Sequence, residues 1–201
     1  MVLITSPVSL PDEARIIQRL FEEGLELLHI RKPNASRDEV VNFISGIDEQ
    51  YHPRLVLHQD YELADVFSIN RIHFTEKTRL DFKEITGNLD KQKSWVFSTS
   101  THSIETFNML PDQFTYAFLS PVYESISKSG YIPETNIAES VKKRTNFKTD
   151  LIALGGISSE NQEQALVNGF NDVALLGAIW NAENPIEEFK KCLTICNEHR
   201  K

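Results

Sequence analysis

Short runs rich in Val, Ile, Leu and Phe recur eight times along the chain, each followed by a polar turn and then a stretch with helical periodicity. The runs are Val2–Thr5, Leu25–Ile30, Arg54–His58, Arg71–Phe74, Trp95–Thr99, Thr115–Leu119, Leu151–Leu154 and Asp172–Leu176. Each is about four to six residues long and mostly apolar, as strands covered on both faces should be. Eight such units, one about every 25 residues, predict a (β/α)₈ TIM barrel formed by residues 1–201 as a single domain. An open doubly wound sheet would usually use fewer strands. The first strand-to-helix turn also lacks G-x-G-x-x-G, which counts against a dinucleotide-binding sheet.

The helical stretches carry their own punctuation. Over Pro11–Glu22, Ala14, Ile17, Leu20 and Phe21 share one stripe, and Pro11 suits a first turn. Ser36 stands three residues before Glu39, the arrangement of a capping box for a helix over Ser36–Ile47, and Ser159 before Gln162 repeats it ahead of Asn161–Asn168. Gly24 and Gly169 sit just past helices, where a left-handed residue is expected. Asp81–Ile85 reads as no more than a turn. Cys192 and Cys196, at helical spacing beside Phe189 and Leu193, read as buried thiols. No second cysteine pair completes a zinc site.

Charge and hydropathy exclude two partner classes. With 21 Lys+Arg against 29 Asp+Glu the chain carries a formal −8, and no basic cluster is interleaved with aromatics, so nucleic acid is not an expected partner. The longest apolar run, Val173–Trp180, falls well short of the roughly 18 residues needed to cross a bilayer. The opening residues have no basic region ahead of an apolar one, so a cytoplasmic protein is expected.

In such a barrel the chemistry lies at the C-terminal ends of the strands, with phosphate usually held after strands seven and eight. Glycines stand at both places: Gly155-Gly156 and Gly177-Ala178. Glycine lets backbone N–H groups approach an anion; either site taken singly reads as a tight turn, and the two together at these strands point to a phosphate pocket. Strand parity turns Leu27, His29 and Arg31 to one side, with Arg31 at the barrel mouth; His73 and Thr75, and Ser98 and Ser100, alternate likewise. A lone histidine is more often a satisfied core or surface group than a catalyst, which is the reading for His29 and His73. His52 and His199 fall in loop or terminal positions. His58 closes strand three and His102 follows strand five, both at the predicted active face. The loop Ser120–Gly130 exceeds the usual two to six residues of a strand-to-helix connection, which suits a lid carrying Lys128. The six histidines show no paired spacing for a metal.

These residues together resemble the thiamin-phosphate synthase/TenI superfamily. The likeness is carried in order by His29-Ile30-Arg31, Leu57-His58-Gln59-Asp60, Ile72-His73, Ser98-Thr99-Ser100-Thr101-His102, Ser120-Pro121-Val122-Tyr123 with Lys128, Gly155-Gly156-Ile157 and Leu175-Leu176-Gly177. The strand-six loop is its most specific piece. The resemblance implies a (β/α)₈ barrel, frequently oligomeric, so a homo-oligomer is expected, and it implies a thiazole phosphate as ligand. It further implies a substrate-binding set of Arg31, Ser100, Lys128, Gly155, Gly156, Gly177 and Ala178.

Two reactions follow from the resemblance. A synthase joins thiazole phosphate to a pyrimidine methyl diphosphate and releases diphosphate, which calls for Mg²⁺ held by carboxylates. Here the positions of those carboxylates are taken by His58-Gln59, with Asp60 one residue late, and by Thr75-Glu76-Lys77-Thr78, while Pro33 replaces a lysine. A TenI-like enzyme tautomerises the thiazole phosphate and needs an acid/base pair but no metal. Its histidine stands where this chain has Pro121, which leaves His58, His102 or Lys128 as the catalytic candidates. The expectation is therefore an enzyme of thiamin biosynthesis, synthase or tautomerase, with Mg²⁺ only if a synthase. A non-catalytic regulatory protein that binds thiamin phosphate is the alternative.

Overall fold

The computed structural model describes residues 1–124 and 140–199. Eight parallel strands close into a barrel in chain order: β1 (Val2–Ile4), β2 (Leu27–Ile30), β3 (Leu55–Leu57), β4 (Arg71–Phe74), β5 (Val96–Thr101), β6 (Phe114–Leu119), β7 (Asp150–Leu154) and β8 (Asp172–Leu175). All eight predicted runs are strands, with limits shifted by a residue or two. Closure is made by β1 against β8, with Leu3 opposite Leu175, and Trp180 Nε1 bonds the Ile4 carbonyl at 2.7 Å across the seam.

Continuous apolar runs were required because the barrel buries two layers. Leu3, Leu28, Ile30, Leu55, Leu57, Ile72, Phe74 and their equivalents face outward into a shell shared with the helices. Val2, Ile4, Tyr116, Phe118, Ile152 and Ala174 fill a second cluster inside the barrel. The helices described are α1 (Glu13–Glu22), α2 (Arg37–Ser45), α3 (Leu63–Val66), α4 (Phe82–Gly87), α5 (Ile104–Asn108), α6 (Gln162–Val167), α7 (Gly177–Trp180) and α8 (Pro185–His199).

Local signals succeed where the chain acts alone. The box at α2 is formed: Ser36 Oγ accepts from the Glu39 amide, and Glu39 Oε2 accepts from the Ser36 amide at 2.7 Å. The one expected at Ser159 is not, because the helix starts at Gln162 with Asn161 as its cap, and the Gln162 side chain donates to the Cys192 carbonyl on α8 at 2.9 Å while Ser159 Oγ donates to Glu188 Oε1. Pro11 lies before α1 rather than in it, since Asp12 takes a left-handed φ of 56°. The stretch read as a turn at Asp81–Ile85 is the helix α4. It forms because Phe82 docks among Phe74, Phe97 and Phe114. Cys192 and Cys196 are buried on α8, and burial pushes the Cys192 thiol up to about 12. His52 is not a featureless loop residue: it sits buried in a short 3₁₀ segment, its two ring nitrogens 3.2 and 3.0 Å from the carbonyls of Phe67 and Ile47.

Among the described residues no helix is long and apolar enough to cross a membrane. Just beyond β2, Lys32 turns away from the barrel axis, as its parity predicts. Its ammonium donates to Glu13 Oε2 at 2.5 Å and to the Val8 carbonyl at 3.1 Å, both partners of the pair being almost wholly buried.

Candidate active site

The inside of the barrel is divided by polarity. Strands β1, β6, β7 and β8 contribute the apolar cluster, whereas β2 to β5 send in His29, His58, His73, Ser98 and Ser100. Alternation fixes this. His29 lies between outward Leu28 and Ile30, and His73 between outward Ile72 and Phe74. Neighbouring strands then bring residues far apart in sequence side by side, with His73 opposite Ser98 and Ser98 opposite Tyr116.

The polar groups satisfy one another. His29 Nδ1 lies 2.9 Å from His58 Nε2, and His29 Nε2 lies 2.7 Å from the Tyr116 hydroxyl. His73 holds Ser98 Oγ on one nitrogen and Ser100 Oγ on the other, both at 2.9 Å. The His58 and His73 rings stack at 4.2 Å, and Phe118 packs 4.9 Å from both His29 and His73. Burial holds the pKa of all three imidazoles low, bringing His58 down to about 3. Positive charge adds to this: Arg31 acts on His58 and His73 from the mouth, and Arg71 acts on His29. Burial pushes the Tyr116 phenol up to about 12. Every member of the cluster is therefore neutral near pH 7.

Several residues expected at the mouth are found there. The Arg31 side chain is exposed, its backbone pinned by Thr5, whose Oγ1 accepts from the Arg31 amide at 2.9 Å. His58 and Ser100 lie at the mouth ends of the polar network. His102 lies on the rim, just past the end of β5, but outside the polar network: it is exposed, with Nδ1 2.8 Å from the Ser120 carbonyl and Nε2 4.0 Å from Glu76. Lys128 lies outside the described residues. Gly177 and Ala178 open the short helix α7, whose first backbone bonds run from Ile179 and Trp180 to the Leu176 carbonyl.

The glycine pair after β7 has a structural reason beyond any anion. Gly155 and Gly156 adopt φ of 97° and 67°, and the chain leaving β6 lies directly on them. Val122 and Tyr123 donate to the carbonyls of Leu154 and Gly155, and a Cβ on Gly156 would come within 2.3 Å of the Glu124 carbonyl. Gly156→Ala is expected to cost about 1–3 kcal/mol from the left-handed backbone alone. It should also speed hydrogen exchange at the Val122 and Tyr123 amides. Unchanged stability and exchange would refute this account of the turn.

The spacing rule that found no metal ligands is blind to strands that meet only in the fold. His29, His58 and His73 bring ligand nitrogens within 4.8 Å of one another, the one such group among the described residues. The stacked rings of His58 and His73, inclined by only 22°, share no nearby point lying in both ring planes, where a metal would have to sit. Nor does the donor set suit Mg²⁺, which takes carboxylate oxygens. Glu76 is flanked by Arg79 at 3.5 Å and His102, and Asp60 accepts from Gln59 at 3.3 Å. Two participants escaped the sequence reading. Tyr116 was visible only as an alternate residue of β6, and the parity that places it inside was the available signal. Arg79, which bonds Thr99 Oγ1 and the Ser100 carbonyl at 2.9 and 2.8 Å, gave none.

Over residues 1–179 the chain matches the family model described as thiamine monophosphate synthase. It is 26% identical over 175 residues to the thiamine-phosphate synthase of Prochlorococcus marinus (strain AS9601), covering 87% of this chain but 46% of that relative, about half its length. To the thiamine-phosphate synthase of Bacillus thuringiensis (strain Al Hakam) it is 22% identical over 192 residues, covering 90% and 84% of the two chains. The crystal structure of thiamine phosphate pyrophosphorylase from Bacteroides thetaiotaomicron superposes with a TM-score of 0.76 at 30% identity, over 98% of this chain and 97% of the other.

Proposed function

The chain belongs to the thiamine monophosphate synthase family, and on that footing we propose that it binds a thiazole phosphate at the barrel mouth and moves a proton on the thiazole ring. The observation that carries this reading is the polar interior itself. It is made of neutral imidazoles and hydroxyls, while the carboxylates at the ends of β3 and β4 are turned to Gln59, Arg79 and His102. Such a lining suits proton transfer and is a poor seat for Mg²⁺ and a departing diphosphate. In this reading the backbones of Gly155-Gly156 and Gly177-Ala178 hold the phosphate, and Arg31 and Ser100 meet the ring or a second anion. His58 is the proton-transfer group, favoured over the exposed His102. Lys128 enters on its sequence position alone.

A second reading is supported by the names of the relatives: joining the thiazole phosphate to a pyrimidine methyl diphosphate. One assay separates the two. The pure protein is incubated with thiazole phosphate, with and without pyrimidine methyl diphosphate and Mg²⁺, and products are followed by chromatography. Interconversion of thiazole tautomers without metal is the expected result. Metal-dependent thiamin phosphate would replace it with the synthase, and binding without turnover would leave a regulatory protein.

A further inference from the structure

A line of polar groups, two hydrogen-bonded arms that meet at a pair of register partners, runs through the polar half of the barrel. It starts at His58, passes from Nε2 to His29 Nδ1, and leaves His29 Nε2 for the Tyr116 hydroxyl. Tyr116 and Ser98 are register partners on β6 and β5, which brings the Ser98 hydroxyl beside the phenol, and this is the one link that the inference itself supplies. From Ser98 Oγ the line continues to His73 Nδ1, and from His73 Nε2 to Ser100 Oγ. It descends from the end of β3, crosses at Tyr116 and returns along β5, so both ends open at the mouth. The two arms touch where His58 stacks on His73.

Each of the six groups can donate on one side and accept on the other, because a neutral imidazole carries one N–H and one lone pair. The line consequently has two self-consistent polarities, and reversing one link reverses all. A lone imidazole with its pKa held so low could not keep a proton at pH 7 in this desolvated barrel. A line that releases one proton as it accepts another never carries that charge.

We infer that His58, His29, Tyr116, Ser98, His73 and Ser100 form a proton wire whose ends, His58 Nδ1 and Ser100 Oγ, act together on one bound heteroaromatic ring. The inference rests on the tautomerase reading for its substrate. A ring C–H or N–H bond breaks and its proton forms an N–H bond at His58 Nδ1. The Nε2 proton of His58 passes to His29, each following link shifts one proton, and the Ser100 O–H proton forms the new bond elsewhere on the ring. The substrate is isomerised, the protein's charge does not change, and the opposite polarity carries the reverse reaction. His58 and Ser100 are the catalytic residues; the other four are positioning residues.

The wire is tested first without substrate, by ¹⁵N NMR of the imidazole nitrogens. Ser100→Ala removes one terminus, and it should shift the Nδ1/Nε2 tautomer balance of His29 and His58 as well as that of His73. Tyr116→Phe cuts the middle and should abolish that distant response in the double variant while leaving the fold intact. A response confined to His73 overturns the wire, as does stoichiometric Zn²⁺ binding that perturbs all three rings. With thiazole phosphate, Tyr116→Phe should lower turnover at least tenfold with little change in KM. The wild-type rate should show no inflection near pH 6.5, where an ordinary imidazole base would titrate. Coupled tautomers without any thiazole turnover would uphold the wire and reject the tautomerase reading instead.

Discussion

Lys32→Met is expected to destabilise the protein by about 3–5 kcal/mol, the cost of leaving a buried charge without its partner. Glu13 has nowhere to turn. Its carboxylate is 3% exposed, Oε2 is held by the Lys32 ammonium, and Oε1 has no hydrogen-bond partner among the described residues. The same ammonium bonds the Val8 carbonyl, 4.8 Å above the Phe43 ring, so its loss also frees the chain between β1 and α1. Replacing both members, Glu13→Leu with Lys32→Met, should recover much of the loss, because an apolar pair carries no desolvation penalty. Urea unfolding of the two single variants and the double variant measures the coupling. A single variant within about 0.5 kcal/mol of wild type, the range of ordinary surface substitutions, would show that the pair is not a desolvated one.

Stability should fall steeply on mild acidification. His29 and His73 are neutral in the folded barrel because burial and neighbouring positive charge hold their pKa values well below 6.5. The same imidazoles in the unfolded chain take up protons once the pH drops below about 6.5. Protons then favour unfolding. Stability is fully present above pH 6.5 and is lost progressively below it, until the pH reaches the depressed folded values. At pH 5.5 each of the two buried rings costs about 1.4 kcal/mol, about 3 kcal/mol together, out of a total that for domains is about 5–15 kcal/mol. His58, held near 3, adds in the same direction. Glu39 and Glu188, whose hydrogen bonds to serine lower their pKa values, act only in a more acidic window. Urea midpoints at pH 7.5, 6.5 and 5.5 test this, and His73→Gln should reduce the slope by about one proton. A flat profile across that range would mean that the imidazoles titrate alike in the folded and unfolded chain, and so are not desolvated in the barrel.

The barrel was legible because its information is local and repeated. Runs such as Val2–Ile4 and Leu55–Leu57 announce two-sided burial without reference to any partner. The Ser36–Glu39 box lies within one helical turn, so its residues specify it unaided. Where a distant residue competes, local reading fails. Ser159 satisfied the same pattern, but the Cys192 carbonyl, 30 residues beyond Gln162, takes the Gln162 side chain that the box needs. Phe82 looked like part of a turn until Phe114 and Phe97 supplied the pocket that stabilises α4.

The candidate site divides in the same way. Parity alone aimed His29, His73, Ser98 and Ser100 inward, and the position of His58 at a strand end marked it for chemistry. His29 and His73, each plausible by itself as a filled core position, become parts of a network only when β2, β3 and β4 lie side by side. Gly155 and Gly156 announced a special backbone, yet the segment that requires it arrives from β6.

The sequence by itself determined the strand count, the closed parallel architecture and which face each strand residue presents, because side-chain alternation and apolar runs are properties of single elements. Only the tertiary structure decided that three histidines, a tyrosine and two serines share one desolvated interior. Hydrogen bonds of 2.7 to 2.9 Å demand a register between strands, and register is set by how the whole barrel packs.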